Sequence, residues 1–154
     1  MSKETDERST PIEFFNKLNS IFQFNLDSCA TKENAKCGKY WTIETDGLKQ
    51  DWASSTFCNP PYSHGQPKLW ITKAYSECIK GHNSVLILKS DTSTYAFHQA
   101  LKECDAMYAM KKRLKFGGNT NTAMFATIIV IYQHDDDYKQ LDKIFEGSWL
   151  KSDY

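Results

Sequence analysis

The chain has 154 residues, with 19 Lys plus Arg against 19 Asp plus Glu, for a formal net charge of +0. That length supports one domain with a single core (1–154) and is too short for a second folded module. The balanced charge supplies no global field that would draw the molecule onto a polyanion, so any such contact needs a local patch.

The first ten residues are charged and polar, unlike a signal peptide, and no membrane-length apolar run follows; a cytosolic protein is expected. Five cysteines (Cys29, Cys37, Cys58, Cys78, Cys104) without a C-x-x-C pair read as reduced core residues, and four scattered histidines lack metal-ligand spacing. No metal is expected.

Residues 1–9 read as a flexible N-terminus. Thr10-Pro11-Ile12-Glu13 then has the form of a helix start, with Thr as N-cap, Pro at the first helical position and Glu three residues past the cap. Ile12, Phe15, Leu18 and Phe22 follow at helical spacing. A brief strand over Phe24–Leu26 ends at Asp27, followed by the small residues Ser28, Cys29 and Ala30; Tyr40–Ile43 is a further strand candidate, and Asp46-Gly47 marks a turn. Asp51-Trp52 precedes a short apolar strand, Phe57-Cys58, which stops at Asn59-Pro60-Pro61-Tyr62. A helix through Trp70, Ala74 and Cys78 ends at Gly81, Val85–Leu88 is a buried strand, Tyr95–Cys104 a helix and Ala106–Met110 a strand. A loop over Gly117–Thr122 leads to a strand over Thr127–Tyr132, and residues 134–154 read as a peripheral, weakly helical tail.

Strands alternating with helices predict an α/β fold with a mostly parallel, doubly wound sheet and an antiparallel hairpin, Arg113–Tyr132, at its edge. In such sheets ligands collect beyond the carboxyl ends of the strands. Asp27 and Asn59 each end a strand, so both are expected on one rim, with the Gly117 loop beside them.

The Asn59–Tyr62 turn suits a particular chemistry. A planar nitrogen conjugated to a ring or amide is a poor nucleophile, and the Asn59 side-chain oxygen and the Pro60 carbonyl could together accept hydrogen bonds from one such amino group. Successive prolines stiffen the loop, and Tyr62 offers a flat face to a planar substrate. That combination points to methyl transfer, and a base in a duplex would have to be flipped out to reach it. A plain proline turn with Tyr as cover is the alternative.

The ordered set Thr10-Pro11, Leu26-Asp27-Ser28-Cys29-Ala30, Asn34-Ala35-Lys36-Cys37, Asp46-Gly47-Leu48, Asp51-Trp52 and Asn59-Pro60-Pro61-Tyr62-Ser63 resembles the small phage-type DNA adenine methyltransferases, the Dam family of phage and prophage. The match covers most of the first ninety or so residues, with a weaker echo over 113–118. It implies a compact Rossmann-like, S-adenosylmethionine-dependent methyltransferase sheet that acts on DNA inside a bacterial host cell. By the same resemblance, Asn59, Pro60, Pro61 and Tyr62 form the catalytic loop. The cofactor would lie against Thr10, Pro11, Asp27, Cys29, Ala30, Asp46, Asp51, Trp52, Phe57 and Asn59.

Several of these roles stay open. Thr10 either caps its helix or meets the cofactor's carboxylate; Asp46 or Asp51 holds the adenosine; Trp52 and Phe57 wall the adenine slot or are simply core. DNA contacts are expected at Ser63 and His64, with Gln66, and at the basic cluster Lys111, Lys112, Arg113 and Lys115. Lys36 and Lys39 make a second patch, and a solvated strand face is the alternative for the cluster. The sequence departs from the family in lacking an F-x-G-x-G element, in carrying Leu88-Lys89-Ser90-Asp91-Thr92 where relatives have a proline and a basic residue, and in its short span from Asp27 to Asn59. A protein glutamine methyltransferase, which faces the same problem of a planar amide, and a non-catalytic module that binds cofactor or DNA are the two other readings.

Overall fold

The structure, a computed structural model, describes residues 9–117 and 123–153. Residues 1–8, 118–122 and 154 lie outside that range, and with them most of the expected loop over Gly117–Thr122.

Helix α1 (Ile12–Phe22) starts after Pro11, which is its N-cap and offers no side-chain cap. The expected Thr10–Glu13 capping box is therefore not formed, and Thr10 turns its hydroxyl elsewhere. The buried face of α1 is Phe14, Phe15, Leu18 and Phe22, while Ile12 is 57% exposed. Ile12 and Phe14 stand about 200° apart on a helix, so only one of them can face the core.

Strand β1 (Leu26–Asp27) pairs in parallel with β2 (Ser55–Cys58), and β2 with β3 (Asn83–Lys89), across helix α2 (Gln66–Ile79). Helix α3 (Tyr95–Glu103) leads to β4 (Ala106–Met110); then come β5 (Leu114–Phe116), β6 (Ala123–Phe125) and β7 (Thr127–Tyr132). A 3-10 turn, Asp137–Gln140, the short helix α4 (Leu141–Ile144) and β8 (Gly147–Lys151) close the chain. The main sheet runs in the order β1-β2-β3-β7-β4-β8. Because β3 and β4 are both antiparallel to β7, β4 runs parallel to β1, β2 and β3, and all four carboxyl ends share one rim.

Side chains alternate across this sheet as strand geometry requires. Leu86, Leu88, Ile128 and Val130 face the layer made by α2 and α3, whereas Val85, Ile87, Ile129 and Ile131 face α1, Tyr138 and Leu141. Helices thus cover both faces.

Three expectations change. The antiparallel hairpin is not at the edge of the main sheet: β5 and β6 form their own two-stranded sheet, and β7 is inserted between β3 and β4. All six residues of β7 are buried, which suits a strand paired on both sides and not an edge. The tail does more than pack outside, since β8 pairs with β4 and Tyr138 and Leu141 enter the core. Finally, the strand expected over 40–43 is reduced to one bridge, Asp27 to Tyr40.

Candidate active site

Asp27 closes β1 and is in register with Phe57, two residues before Asn59 at the end of β2. Both side chains line a cavity of about 400 Å³, so the rim expected from the sequence is where a cavity forms. Ser9, Thr10, Lys36, Asp46, Leu48 and Trp70 are also in its wall.

Asp27 is 3% exposed. Its carboxylate accepts the Lys36 backbone N–H at 3.0 Å and the Cys29 N–H at 3.4 Å. Burial outweighs those bonds and the nearby Lys36 charge and pushes the carboxyl pKa from 3.8 up to about 6. The Lys36 ammonium, whose pKa burial lowers, donates to the Ser9 hydroxyl at 3.3 Å and to the Asn34 carbonyl at 3.1 Å.

Asn59 is held at both ends of its amide. Its Nδ2 donates to Thr10 Oγ1 at 2.9 Å, and its Oδ1 accepts from the Tyr62 hydroxyl at 2.7 Å. That hydroxyl also lies 2.8 Å from the Ile87 carbonyl on β3. Burial raises the phenol pKa well above its ordinary value, so Tyr62 stays a protonated donor. Its half-buried ring meets Phe125 edge-on at 5.4 Å, and Phe125 stacks on Phe116 at 4.5 Å. The Lys89 ammonium sits 5.3 Å from the Tyr62 ring centre and 4.9 Å from that of Phe125. Pro61 lines the cavity, while Pro60 is buried behind it.

Of the two acidic candidates for the adenosine, the fold brings only Asp46 to the cavity wall. Asp46 has φ of +58°, and its Oδ1 accepts the Leu48 N–H at 3.1 Å, so the side chain holds its own turn. Asp51 is exposed, and its backbone carbonyl accepts from Trp41 Nε1. Trp52 is buried away from the cavity, with its indole N–H donating to Gly47 O at 2.9 Å. Phe57 is both core and cavity wall; at the other strand end Cys29 packs against the core and lines the cavity, and Ala30 lines the cavity.

Among the expected DNA contacts, Ser63 and Gln66 line the cavity and His64 is exposed. Gly65 between them has φ of +81°, a conformation glycine adopts without strain, and it starts α2. Lys111, Lys112, Arg113 and Lys115 are all exposed and follow β4 on the same rim; Lys111 pairs with Glu146 at 3.7 Å. The Gly117 N–H donates to the Ser9 carbonyl at 2.9 Å, which ties the end of β5 to the cavity wall. Sequence reasoning missed Thr31, Thr42, Ile43 and Trp70 as cavity residues. Trp70 reads there as one more apolar helix position, Thr42 and Ile43 as part of a strand candidate, and Thr31 as an ordinary polar residue. Among the described residues, no group of three or more His, Cys, Asp or Glu could hold a metal ion, and no helix is long and apolar enough to cross a membrane.

Fold and site define a mixed α/β protein with a cavity at the carboxyl ends of its parallel strands, beside an Asn-Pro-Pro-Tyr turn. The chain belongs to the DNA N-6-adenine-methyltransferase (Dam) family, whose model matches residues 1–142. It is 31% identical over 123 residues to a protein of Haemophilus phage HP1 (strain HP1c1) named DNA N-6-adenine-methyltransferase, which covers 75% of this chain and 69% of that one. A protein of the same name from Escherichia phage T1 is 33% identical over 95 residues, covering 60% of this chain. The match spans 39% of that relative's length.

Proposed function

We propose that the protein transfers the methyl group of S-adenosylmethionine to the exocyclic amino group of adenine in DNA, acting on a base flipped out of the duplex inside a bacterial host cell. One observation carries this reading: Asn59, pinned by Thr10 and Tyr62 at the end of β2, shares a cavity wall with the carboxylate of Asp27. We read the sheet, with parallel β1, β2, β3 and β4 and an antiparallel strand inserted beside β3, as a shortened Rossmann-like methyltransferase sheet.

The residues present fit the cofactor. A volume of about 400 Å³ lies within the range of small-molecule sites. Asp27 would take the ammonium, Lys36 the carboxylate, and Asp46 the ribose hydroxyls or adenine amino group. Leu48, Phe57 and Trp70 supply apolar surface for a purine. When bound, S-adenosylmethionine supplies an electrophilic methyl carbon on a positively charged sulfur.

The chain's own residues do the rest by positioning. Asn59 Oδ1 and the Pro60 carbonyl accept hydrogen bonds from the amino group and turn its electron pair toward the methyl carbon. With S-adenosylmethionine bound, the amino nitrogen would take the methyl group that it supplies, adenosylhomocysteine would leave with the electrons of the broken S–C bond, and the proton the nitrogen loses would pass to water. Tyr62 presents its ring to the base once Lys89 moves from above it. The exposed cluster Lys111, Lys112, Arg113 and Lys115 meets the phosphates, together with Ser63 and His64 beside the turn.

Incubation with methyl-labelled S-adenosylmethionine and either DNA or a glutamine-bearing protein tests the proposal. Label in N6-methyladenine after nucleoside digestion supports it. Label in protein would favour the glutamine enzyme, and label in neither a non-catalytic module.

A further inference from the structure

We propose that Thr10 is a positioning residue for the catalytic amide. Its hydroxyl holds the Asn59 side chain in the orientation that serves the amino group and does not serve the cofactor's carboxylate. The inference rests on the reading of Asn59 given above.

Two observations point this way. Thr10 has a standard helix-start setting, yet no side-chain cap is made and the N-cap position belongs to Pro11. Its side chain instead reaches a residue 49 positions away and accepts the Asn59 Nδ2 proton at 2.9 Å, in a setting where Thr10 is only 5% exposed. An amide has one acceptor end and one donor end. With Nδ2 directed at Thr10, Oδ1 is left at the opposite end, next to the Tyr62 hydroxyl.

Thr10 is itself firmly placed. The adjoining Ser9 carbonyl accepts the Gly117 N–H at 2.9 Å, and the Ser9 hydroxyl accepts from Lys36 at 3.3 Å. The Ser9-Thr10 segment therefore ties together three parts of the site: the Asp27 side through Lys36, the basic hairpin through Gly117, and the Asn59 turn. Removing the hydroxyl frees the amide to rotate about its side-chain bonds, and loss of orientation is felt in the chemical step more than in binding.

The test compares Thr10→Val, Thr10→Ser and the unaltered protein. Three quantities are read: kcat for methylation of unmethylated plasmid DNA, the Kd for adenosylhomocysteine by calorimetry, and the melting temperature. Expected for Thr10→Val is a kcat lower by roughly 10- to 100-fold, with the Kd for adenosylhomocysteine within about twofold of the unaltered protein. Thr10→Ser should recover most of the rate. If Thr10→Val does not fold, Thr10→Ser and Thr10→Ala give the same comparison of hydroxyl with none. A weakened Kd with kcat retained would overturn the proposal and assign the hydroxyl to the cofactor; so would equal rates in all variants, or a Ser variant as slow as Val. These outcomes are measured against an active unaltered protein, so they are separate from failure of the methylation reading, in which that protein transfers no label to DNA.

Discussion

The Tyr62 hydroxyl lies 2.7 Å from Asn59 Oδ1 and 2.8 Å from the Ile87 carbonyl, so the one proton on the last residue of the turn is shared between its first residue and the neighbouring strand. The turn is braced by two prolines within and by β3 behind. Tyr62 accordingly does two separate jobs: its ring faces Phe125 and Lys89, and its hydroxyl steadies the amide.

Tyr62→Phe separates them. The ring stays and the brace is lost, so kcat should fall about 5- to 20-fold with little change in KM for DNA, the cost of roughly one hydrogen bond to a positioned group. Tyr62→Ala should also raise KM for DNA, because stacking surface goes too. Steady-state kinetics on both variants checks this.

The two acidic candidates differ in placement, and their variants should differ likewise. Asp46→Ala should weaken adenosylhomocysteine at least tenfold, about the cost of an unpaired polar contact, while Asp51→Ala should leave Kd within twofold. Calorimetric titration reads both.

If Asp27 takes the ligand ammonium as proposed, binding should depend on pH. Its folded-state pKa lies near 6, above the ordinary 3.8, so its contribution to stability is full below about 3.8 and is lost as pH rises through 6. Ligand binding runs the other way, since a ligand ammonium prefers the charged carboxylate. Affinity for adenosylhomocysteine should rise by up to about tenfold per pH unit from pH 4 to 6 and level off above. In Asp27→Asn the profile should be flat and the binding weak across that range.

Glu77 is a structural counterpart. Its fully buried carboxylate accepts the Trp52 N–H at 2.6 Å and pairs with Lys80 at 3.1 Å, Lys73 at 3.4 Å and His82 at 3.1 Å. Burial alone would raise its pKa, but these partners together hold it at about 2, below the ordinary 4.5. Its stabilising contribution is therefore present above about 4.5 and lost as pH falls toward 2. Glu77→Gln should cost about 2–4 kcal/mol in urea unfolding at pH 7, and the gap to the unaltered protein should narrow below pH 4.

The placement of the candidate site could be read from the chain because its signals are local. Asp27 and Asn59 each end a short apolar strand, and the parallel pairing of β1 with β2 brings both to one cavity. Less of the fold was legible where partners are distant. The apolar run 127–132 signals burial on both faces but not insertion between β3 and β4, and the bond from Thr10 to Asn59 leaves no trace in either segment. In α1, Phe15, Leu18 and Phe22 are buried as their spacing predicts, but Phe14 takes the place expected for Ile12, because both are apolar and only packing against the sheet chooses between them. The buried Glu77 likewise depends on distant partners, since its carboxylate is bonded to Trp52 and His82, which the loops deliver.

The most direct test is nucleoside analysis of DNA treated with the unaltered protein and with Asn59→Ala, alongside adenosylhomocysteine titration of both. The account predicts N6-methyladenine with the unaltered protein, a rate at least about 100-fold lower with Asn59→Ala, and Kd values within a few-fold of each other. Undiminished methylation by Asn59→Ala would contradict it.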